Sequence, residues 1–317
     1  VHVPKDLIQE EDRIRTRHAA PGSRPLKAAF SESVQKGVAA RMEGVEFVKE
    51  RPDLMILIDC LTLRVDVDIR PVFIYGRYRK LSRGIPQTRW PCRSCRGRSE
   101  GCEACEGTGL QYPDSVQDLI GEPFRLVLSA ENTSFHGMGR EDIDVRCLGR
   151  GRPFVLEVKH PKVRRTDLEE VMKVVNSNGA DKIEISDLRW TNRSEVSRVK
   201  ETRAEKSYTI RFSVEEQPEE SFIIESISKL SGVTLEQQTP KRVSHRRADL
   251  IRKRKVVSID NVVVEDSEVQ FSVRCEAGTY VKELVHSDEG RTVPSVAGVL
   301  GSPCEVIWLD VEDIHAD

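Results

Sequence analysis

Apolar and polar residues alternate through Val269, Phe271, Val273 and Cys275, and this two-residue period predicts a half-buried strand. Tyr208, Ile210 and Phe212 repeat the pattern. Elsewhere the period lengthens. Leu168, Val171, Met172 and Val175 recur at helical spacing, so one apolar stripe of a helix is expected there. Just before it, Thr166-Asp167-Leu168-Glu169 reads as a capping box in which threonine and glutamate satisfy each other's orphan backbone donors. Gly179 ends the helix. Upstream, residues 31–40 read as helix, and residues 54–59, 63–69 and 72–75 as strands. Residues 154–159 read as a further strand.

Helices and strands are intermixed without regular βαβ spacing, which predicts an α+β fold with a mixed or antiparallel sheet. The 317 residues suffice for two or three domains, each with its own core. The expected division is a small α/β region at 1–90, a cysteine-rich module at 91–110 and a main domain at 111–317. The chain begins at Val1 rather than Met, so the first region is expected to be incomplete. Its polar opening runs into the loop-like Pro21-Gly22-Ser23. No apolar run approaches the length of a membrane span, and no signal-peptide core is present. A cytoplasmic protein with no membrane role is expected.

The charge is segregated, although its sum is only -2. Between Pro71 and Ser99 lie Arg77, Arg79, Lys80, Arg83, Arg89, Arg93, Arg96 and Arg98 with no acid, interleaved with Tyr75, Tyr78 and Trp90. Between Lys241 and Lys255, eight basic residues stand against Asp249 alone. Such stretches are either solvated faces or the footprint of phosphate binding, and aromatic residues among the first set favour a nucleic acid.

Four of the eight cysteines form Cys92-x-x-Cys95 and Cys102-x-x-Cys105. Each pair can make a knuckle whose two thiolates converge on one tetrahedral zinc. Disulfides are the rival reading, but paired CxxC motifs without a secretory leader favour metal. Four thiolates leave no open position for water, so this zinc is expected to be structural. Cys60, Cys147, Cys275 and Cys304 read as small core residues.

The densest chemistry lies in Gly139-Arg140-Glu141-Asp142-Ile143-Asp144-Val145-Arg146-Cys147-Leu148-Gly149-Arg150-Gly151-Arg152-Pro153-Phe154. Acids set between arginines stay ionised, as a carboxylate nucleophile or base must. On the residues alone, the same pattern also describes a surface salt-bridge loop.

This stretch resembles the signature of the Pus-ten family of tRNA pseudouridine synthases, and its Gly-Arg-Glu-Asp is similar to the Gly-Arg-Thr-Asp loop of the TruA synthases. The resemblance implies a pseudouridine synthase domain with Asp142 as catalytic carboxylate, Asp144 being the neighbour most easily mistaken for it. Lys206-Ser207-Tyr208 resembles the position of the family's base-stacking tyrosine, which falls on Tyr208. Cys275-Glu276-Ala277-Gly278-Thr279-Tyr280-Val281-Lys282 is similar to the Gly-Thr-Tyr-Ile-Arg motif of the TruB synthases, whose basic residue pairs with the catalytic aspartate. Lys282 inherits that role. Asp288-Glu289-Gly290-Arg291-Thr292-Val293-Pro294-Ser295 also fits Pus-ten. A buried aliphatic residue closing the pocket is assigned to Leu300, and Arg140 is expected on the substrate.

The segment Gln238 to Asp249, containing Arg242, Arg246 and Arg247, looks like the family's basic segment. With Arg77, Arg79 and Lys80 it is expected to serve tRNA affinity rather than turnover. The upstream region resembles the family's THUMP-containing RNA-binding domain, and the cysteine cluster belongs to the resemblance. The implied reaction is uridine-to-pseudouridine isomerisation in the tRNA T-loop, at tRNA positions 54 and 55. Structural zinc and no organic cofactor are implied, in a protein expected to be monomeric. The alternative is a non-catalytic, zinc-containing tRNA-binding protein or chaperone, in which Asp142 has no chemical task. A methyltransferase or thiolase would need a glycine-rich cofactor loop or a catalytic cysteine outside the zinc set, and neither is evident.

Overall fold

The computed structural model describes every residue except Ala20, Pro21, Ser99, Gln217 and Asp317, and the side chain of Arg246. Pro21 of the expected entry loop therefore lies outside the described residues. Two helices, α1 (Lys5–Arg17) and α2 (Leu26–Ala39), bury none of their residues. An antiparallel hairpin follows, made of β1 (Leu54–Ile58) and β2 (Val65–Ile69), with Leu54 opposite Ile69.

The next strand departs from the expected division at residue 90. β3 (Val72–Lys80) is longer than the sequence pattern suggests, and it lies inside a ten-stranded sheet instead of joining the hairpin. The reason is in its apolar run. Val72, Ile74 and Tyr78 pack into one core cluster while Phe73 and Tyr75 pack into another, so both faces need cover. The main domain thus begins near residue 72.

The remaining elements are α3 (Val116–Val127), β4 (Asn132–Gly137), β5 (Arg146–Lys159), α4 (Leu168–Asn178), β6 (Ile183–Thr191), α5 (Arg193–Glu201) and β7 (Glu205–Val214). After these come α6 (Glu220–Ser228), β8 (Thr234–Gln238), β9 (Ile251–Glu265), β10 (Glu268–Cys275), α7 (Val281–His286), β11 (Thr292–Val293), α8 (Val296–Leu300) and β12 (Cys304–His315). The sheet runs β11-β8-β9-β10-β7-β12-β5-β3-β6, with β4 added to β5. β12 and β5 pair in parallel through Asp310 and Val311 opposite Arg146 and Cys147, whereas the other described pairings are antiparallel. The fold is therefore α+β with a mixed sheet, as the alternation predicts.

Two interior strands of the sheet bury different amounts. On β10, Val269, Phe271, Val273 and Cys275 are buried and the residues between them are not, the alternation of a strand with one solvated face. On β5, Phe154, Val155, Leu156 and Val158 are all buried, and they divide between the two clusters.

The cap of α4 differs in detail from the expected box. Asp167, not Thr166, is the N-cap, and its carboxylate accepts from the backbone N–H groups of Glu169 and Glu170. An aspartate one residue nearer the helix reaches the same orphan donors and takes the role. Cys147, Cys275 and Cys304 are buried, and Cys60 is half-buried.

Candidate active site

Asp142 sits in a tight turn just before β5, closed by a hydrogen bond from the Val145 N–H to the Asp142 carbonyl (3.1 Å). Gly139 opens this loop at φ +76°, where a Cβ would stand 3.2 Å from the Arg152 guanidinium. The left-handed backbone and the close arginine together call for glycine. Gly149, on β5, is tighter still, since a Cβ there would fall 1.9 Å from the Glu312 carbonyl oxygen.

The turn is held from below by groups that leave solvent entirely. Lys80 is fully buried, and its Nζ donates to the carbonyls of Ile85 (2.9 Å), Asp142 (3.1 Å) and Ile143 (3.1 Å). Burial pulls its pKa down, partly opposed by the Glu141 charge. Arg83 donates to the Asp144 carbonyl (2.7 Å) and pairs with buried Asp310 (2.7 Å), which also receives Arg146 (2.6 Å). Glu141 points inward where Asp142 points outward. Its carboxylate pairs with Arg152 at 2.8 Å, both side chains being almost wholly buried, and it accepts the Tyr78 hydroxyl proton at 2.9 Å. Gln87 donates to that hydroxyl (2.8 Å) and to the Gly139 carbonyl (3.1 Å), and Arg152 donates to the Met138 carbonyl (2.8 Å). Desolvation, then the neighbouring carboxylate, pushes the Tyr78 phenol far above its usual range.

Above the turn lies a cavity of about 260 Å³, lined among others by Arg140, Asp142, Lys206, Tyr208, Arg242, Lys282, Leu309 and Val311. The Asp142 carboxylate accepts from Arg242 Nη1 at 2.8 Å, and Lys282 Nζ stands 3.7 Å away. Arg242 also pairs with Glu283, a nearly buried acid, at 2.6 Å. Lys282 makes its short contact with Asp144 instead, at 2.7 Å. Burial opposes ionisation of Asp144, but the lysine's hydrogen bond and charge outweigh it and hold the carboxyl below its usual range. Tyr208, on β7, is half-buried, and burial raises its phenol pKa. Arg247 donates to the Tyr280 hydroxyl at 3.1 Å. Arg140 covers the face of Trp90 at 5.5 Å, which ties the loop to the segment leading into the cysteines.

The structure thus brings Asp142, Tyr208, Lys282, Arg140, Arg242 and Arg247 to one cavity. It moves other expected residues elsewhere. Leu300 is buried in α8 within the core and does not line the cavity. Leu309 and Val311 of β12 do, and Val311 is the register partner of Tyr208. Leu300 closes helix α8 in the core, whereas Leu309 and Val311 reach the cavity from the neighbouring strand β12. Arg77 is buried and donates to the Gly151 and Ala316 carbonyls (3.1 and 2.8 Å). Like buried Lys80, it spends its side-chain donors on backbone carbonyls and lies outside the cavity of Asp142. Arg79 pairs with Glu184. Arg242, grouped with surface cations in the sequence, is a direct partner of Asp142. The side chain of Arg246 lies outside the described set. Glu283 was missed. Its one signal is an acid lodged between the apolar residues Val281, Leu284 and Val285 of a short helix.

The four cysteines converge as the knuckle spacing predicts. Their Sγ atoms all lie within 4.8 Å of one another, with Cys92–Cys102 at 4.0 Å and Cys95–Cys105 at 3.8 Å. A tetrahedron of thiolates about 2.3 Å from a metal has edges of about 3.8 Å. The Gly109 N–H donates to the Cys105 sulfur at 3.2 Å, the kind of outer contact that orients a ligand. The cluster can hold a metal ion. No helix among the described residues is long and apolar enough to cross a membrane.

The family described as Pus10, C-terminal, matches residues 73–315. Over 310 residues the chain is 43% identical to the tRNA pseudouridine synthase Pus10 of Methanothrix thermoacetophila, a match covering 97% of this chain and 67% of that protein. It is 45% identical over 269 residues to the tRNA pseudouridine synthase Pus10 of Methanocaldococcus jannaschii, covering 84% of this chain and 58% of that one. The chain therefore spans roughly three-fifths to two-thirds of the length of these two relatives. Among solved structures, a chain from a Cbf5-Nop10-Gar1 complex is 20% identical, with a TM-score of 0.37, over 63% of this chain and 45% of that chain.

Proposed function

The chain belongs to the Pus10 C-terminal family, and on that footing we propose that it isomerises uridine to pseudouridine in the T-loop of tRNA, at tRNA positions 54 and 55, with Asp142 as the reacting carboxylate. The observation that carries this reading is the placement of Asp142: in one cavity with Tyr208, hydrogen-bonded to Arg242 at 2.8 Å and within 3.7 Å of Lys282. These two cations fix the direction of the carboxylate. The fixed turn beneath it presets its direction, so little reorganisation is needed when substrate arrives.

The target nucleotide must leave its stack to reach the cavity, at a cost of a few kcal/mol. Tyr208 offers a ring on which the uracil stacks, which offsets part of that cost. Leu309 and Val311 supply the apolar wall. Phosphate contacts fall to exposed cations without a carboxylate partner among the described residues: Arg93, Arg96, Arg98, Arg140 and Arg247. Cys92, Cys95, Cys102 and Cys105 hold a zinc ion, which supplies folding energy to the module and no reaction step. Residues 1–70 serve as a THUMP-like RNA-binding region. No organic cofactor takes part.

The test uses unmodified tRNA incubated with the chain and with Asp142→Asn, mapping pseudouridine by carbodiimide adduct and primer extension. T-loop product with the parent and none with the variant, at equal tRNA binding, is the expected result. Product from both would remove Asp142 from the chemistry.

A further inference from the structure

Lys206 is a half-buried cavity cation with no counter-ion among the described residues, whereas the other cavity cations without one, Arg140 and Arg247, are exposed. It lies two residues before Tyr208 on β7, on the same face, and lines the cavity with Asp142. Its Nζ donates to the Ala204 carbonyl at 3.0 Å. No other side-chain hydrogen bond and no ion pair of Lys206 is found among the described residues. An ammonium carries three protons, so two remain for whatever enters. Arg242, Lys282, Arg146 and Arg83, by contrast, each have a carboxylate.

The surroundings make this placement costly. Arg152 and Cys147 reach Lys206 from β5, and its register partners are Cys275 on β10 and Ile314 on β12. Asp313 and His315 flank Ile314 on β12, and His315 bonds Ser207, which alternates to the opposite face of β7. The loop presents Gly139, whose missing Cβ would stand 3.9 Å from Lys206 Cε, and beyond it Arg140, Glu141 and Asp142. Arg242 and Arg247 from the 241–247 segment, Tyr280 and Lys282 at the start of α7, and Tyr208 on β7 complete the charged and titratable groups facing the cavity. Burial, then the Arg152 charge, bring the lysine pKa down to about 8. A half-buried cation with no counter-ion is costly in a core and an asset in a site where negative charge develops.

The reaction supplies such a charge. The C1′–N1 bond breaks with its electron pair on N1, leaving uracil as an anion delocalised over its ring carbonyls. The ring turns, C5 bonds to C1′ and gives up its proton, and N1 takes one up, so atoms balance. We infer that Lys206 is the cation that binds the detached uracil anion, donating hydrogen bonds to its carbonyl oxygens while the ring turns and transferring no proton. This rests on the activity proposed above and adds a residue to it.

The experiment measures single-turnover pseudouridine formation on unmodified tRNA by the full chain, Lys206→Met and Lys206→Arg across pH 6 to 9.5, alongside tRNA binding and melting. Loss of one preorganised donor slows a charge-developing step by on the order of 10²-fold, so Lys206→Met should be that much slower with tRNA affinity unchanged. The parent rate should fall above pH about 8 as the ammonium loses its proton. That limb should vanish in Lys206→Met, and Lys206→Arg, which keeps its charge, should restore part of the rate without the limb. A folded-state pKa below the unfolded value means that the charged lysine costs stability below pH 8, so Lys206→Met should melt no lower than the parent at pH 7. A Met variant at parental rate, or one whose loss tracks weaker binding or a lower melting temperature, overturns the inference. A parent that makes no pseudouridine overturns the activity itself and this assignment with it.

Discussion

The two basic stretches of this chain look alike in sequence, but Arg77, Lys80 and Arg83 of the first are used in the opposite way from Arg242 and Arg247 of the second. In the first, Arg77 and Lys80 turn inward and spend their donors on backbone carbonyls, and Arg83 holds Asp310 and the Asp144 carbonyl. In the second, Arg242 reaches Asp142 and Arg247 stands at the cavity with Tyr280. One set of cations builds the shelf under the candidate carboxylate, and the other faces what would bind above it. A run of like charges therefore says little about surface potential until the backbone places each residue. Both faces of β3 are covered, so its side chains enter a core whatever their charge, whereas the 241–246 segment is a short 3-10 turn with Arg242 exposed.

Breaking the shelf should have the largest effect. Lys80→Met takes the side-chain donor from the buried Ile85 carbonyl, while the Asp142 and Ile143 carbonyls keep the Val145 and Gly84 N–H groups, at a cost of about 1–3 kcal/mol for the unsatisfied group. Melting should fall by several degrees, and turnover should fall in the protein that remains folded, with tRNA affinity nearly intact. Calorimetry and single-turnover assays check both. A Met variant as stable as the parent would mean that the buried ammonium is dispensable.

Next in size is the cysteine module. Chelation of the ion, or Cys95→Ser, should unfold residues 91–110 and loosen Trp90 beneath Arg140. Circular dichroism and metal analysis would follow that loss, while the sheet should persist. A protein that keeps its melting curve after complete metal removal would contradict a structural role.

The smallest effect sharpens the contrast between the stretches. Arg247→Glu should weaken tRNA binding several-fold and reduce the salt slope by about 1, because its side chain is exposed at the cavity. Arg79→Glu, at a position already matched with Glu184, should move affinity little. Equal effects from the two reversals would erase the distinction.

Much of this was legible beforehand. Alternation located β7 and β10, the CxxC spacing located the cysteine cluster, and the resemblance of the 139–154 stretch to a family signature singled out Asp142. Register and direction were not legible. Leu300 and Leu309 are both apolar residues near the C-terminus, and only the pairing of β12 with β7 puts the second at the cavity. The partners of Asp142 were half visible. Lys282 follows from motif resemblance, but its shorter bond goes to Asp144, and the closer cation, Arg242, arrives from a segment 100 residues away. Lys80 and Arg77 could not be told from surface charges, since nothing in composition marks a buried lysine that bonds only carbonyls.

The central claim is that adjacent acids in one turn divide the work, Glu141 holding the shelf and Asp142 reacting. The most direct measurement compares Glu141→Gln with Asp142→Asn for melting and for T-loop pseudouridine formation at saturating tRNA. Removing one partner of a buried pair costs about 3–5 kcal/mol, so Glu141→Gln should melt well below the parent. Asp142→Asn should melt close to the parent and make no pseudouridine. An Asp142→Asn protein that still forms T-loop pseudouridine at the parental rate would contradict the account.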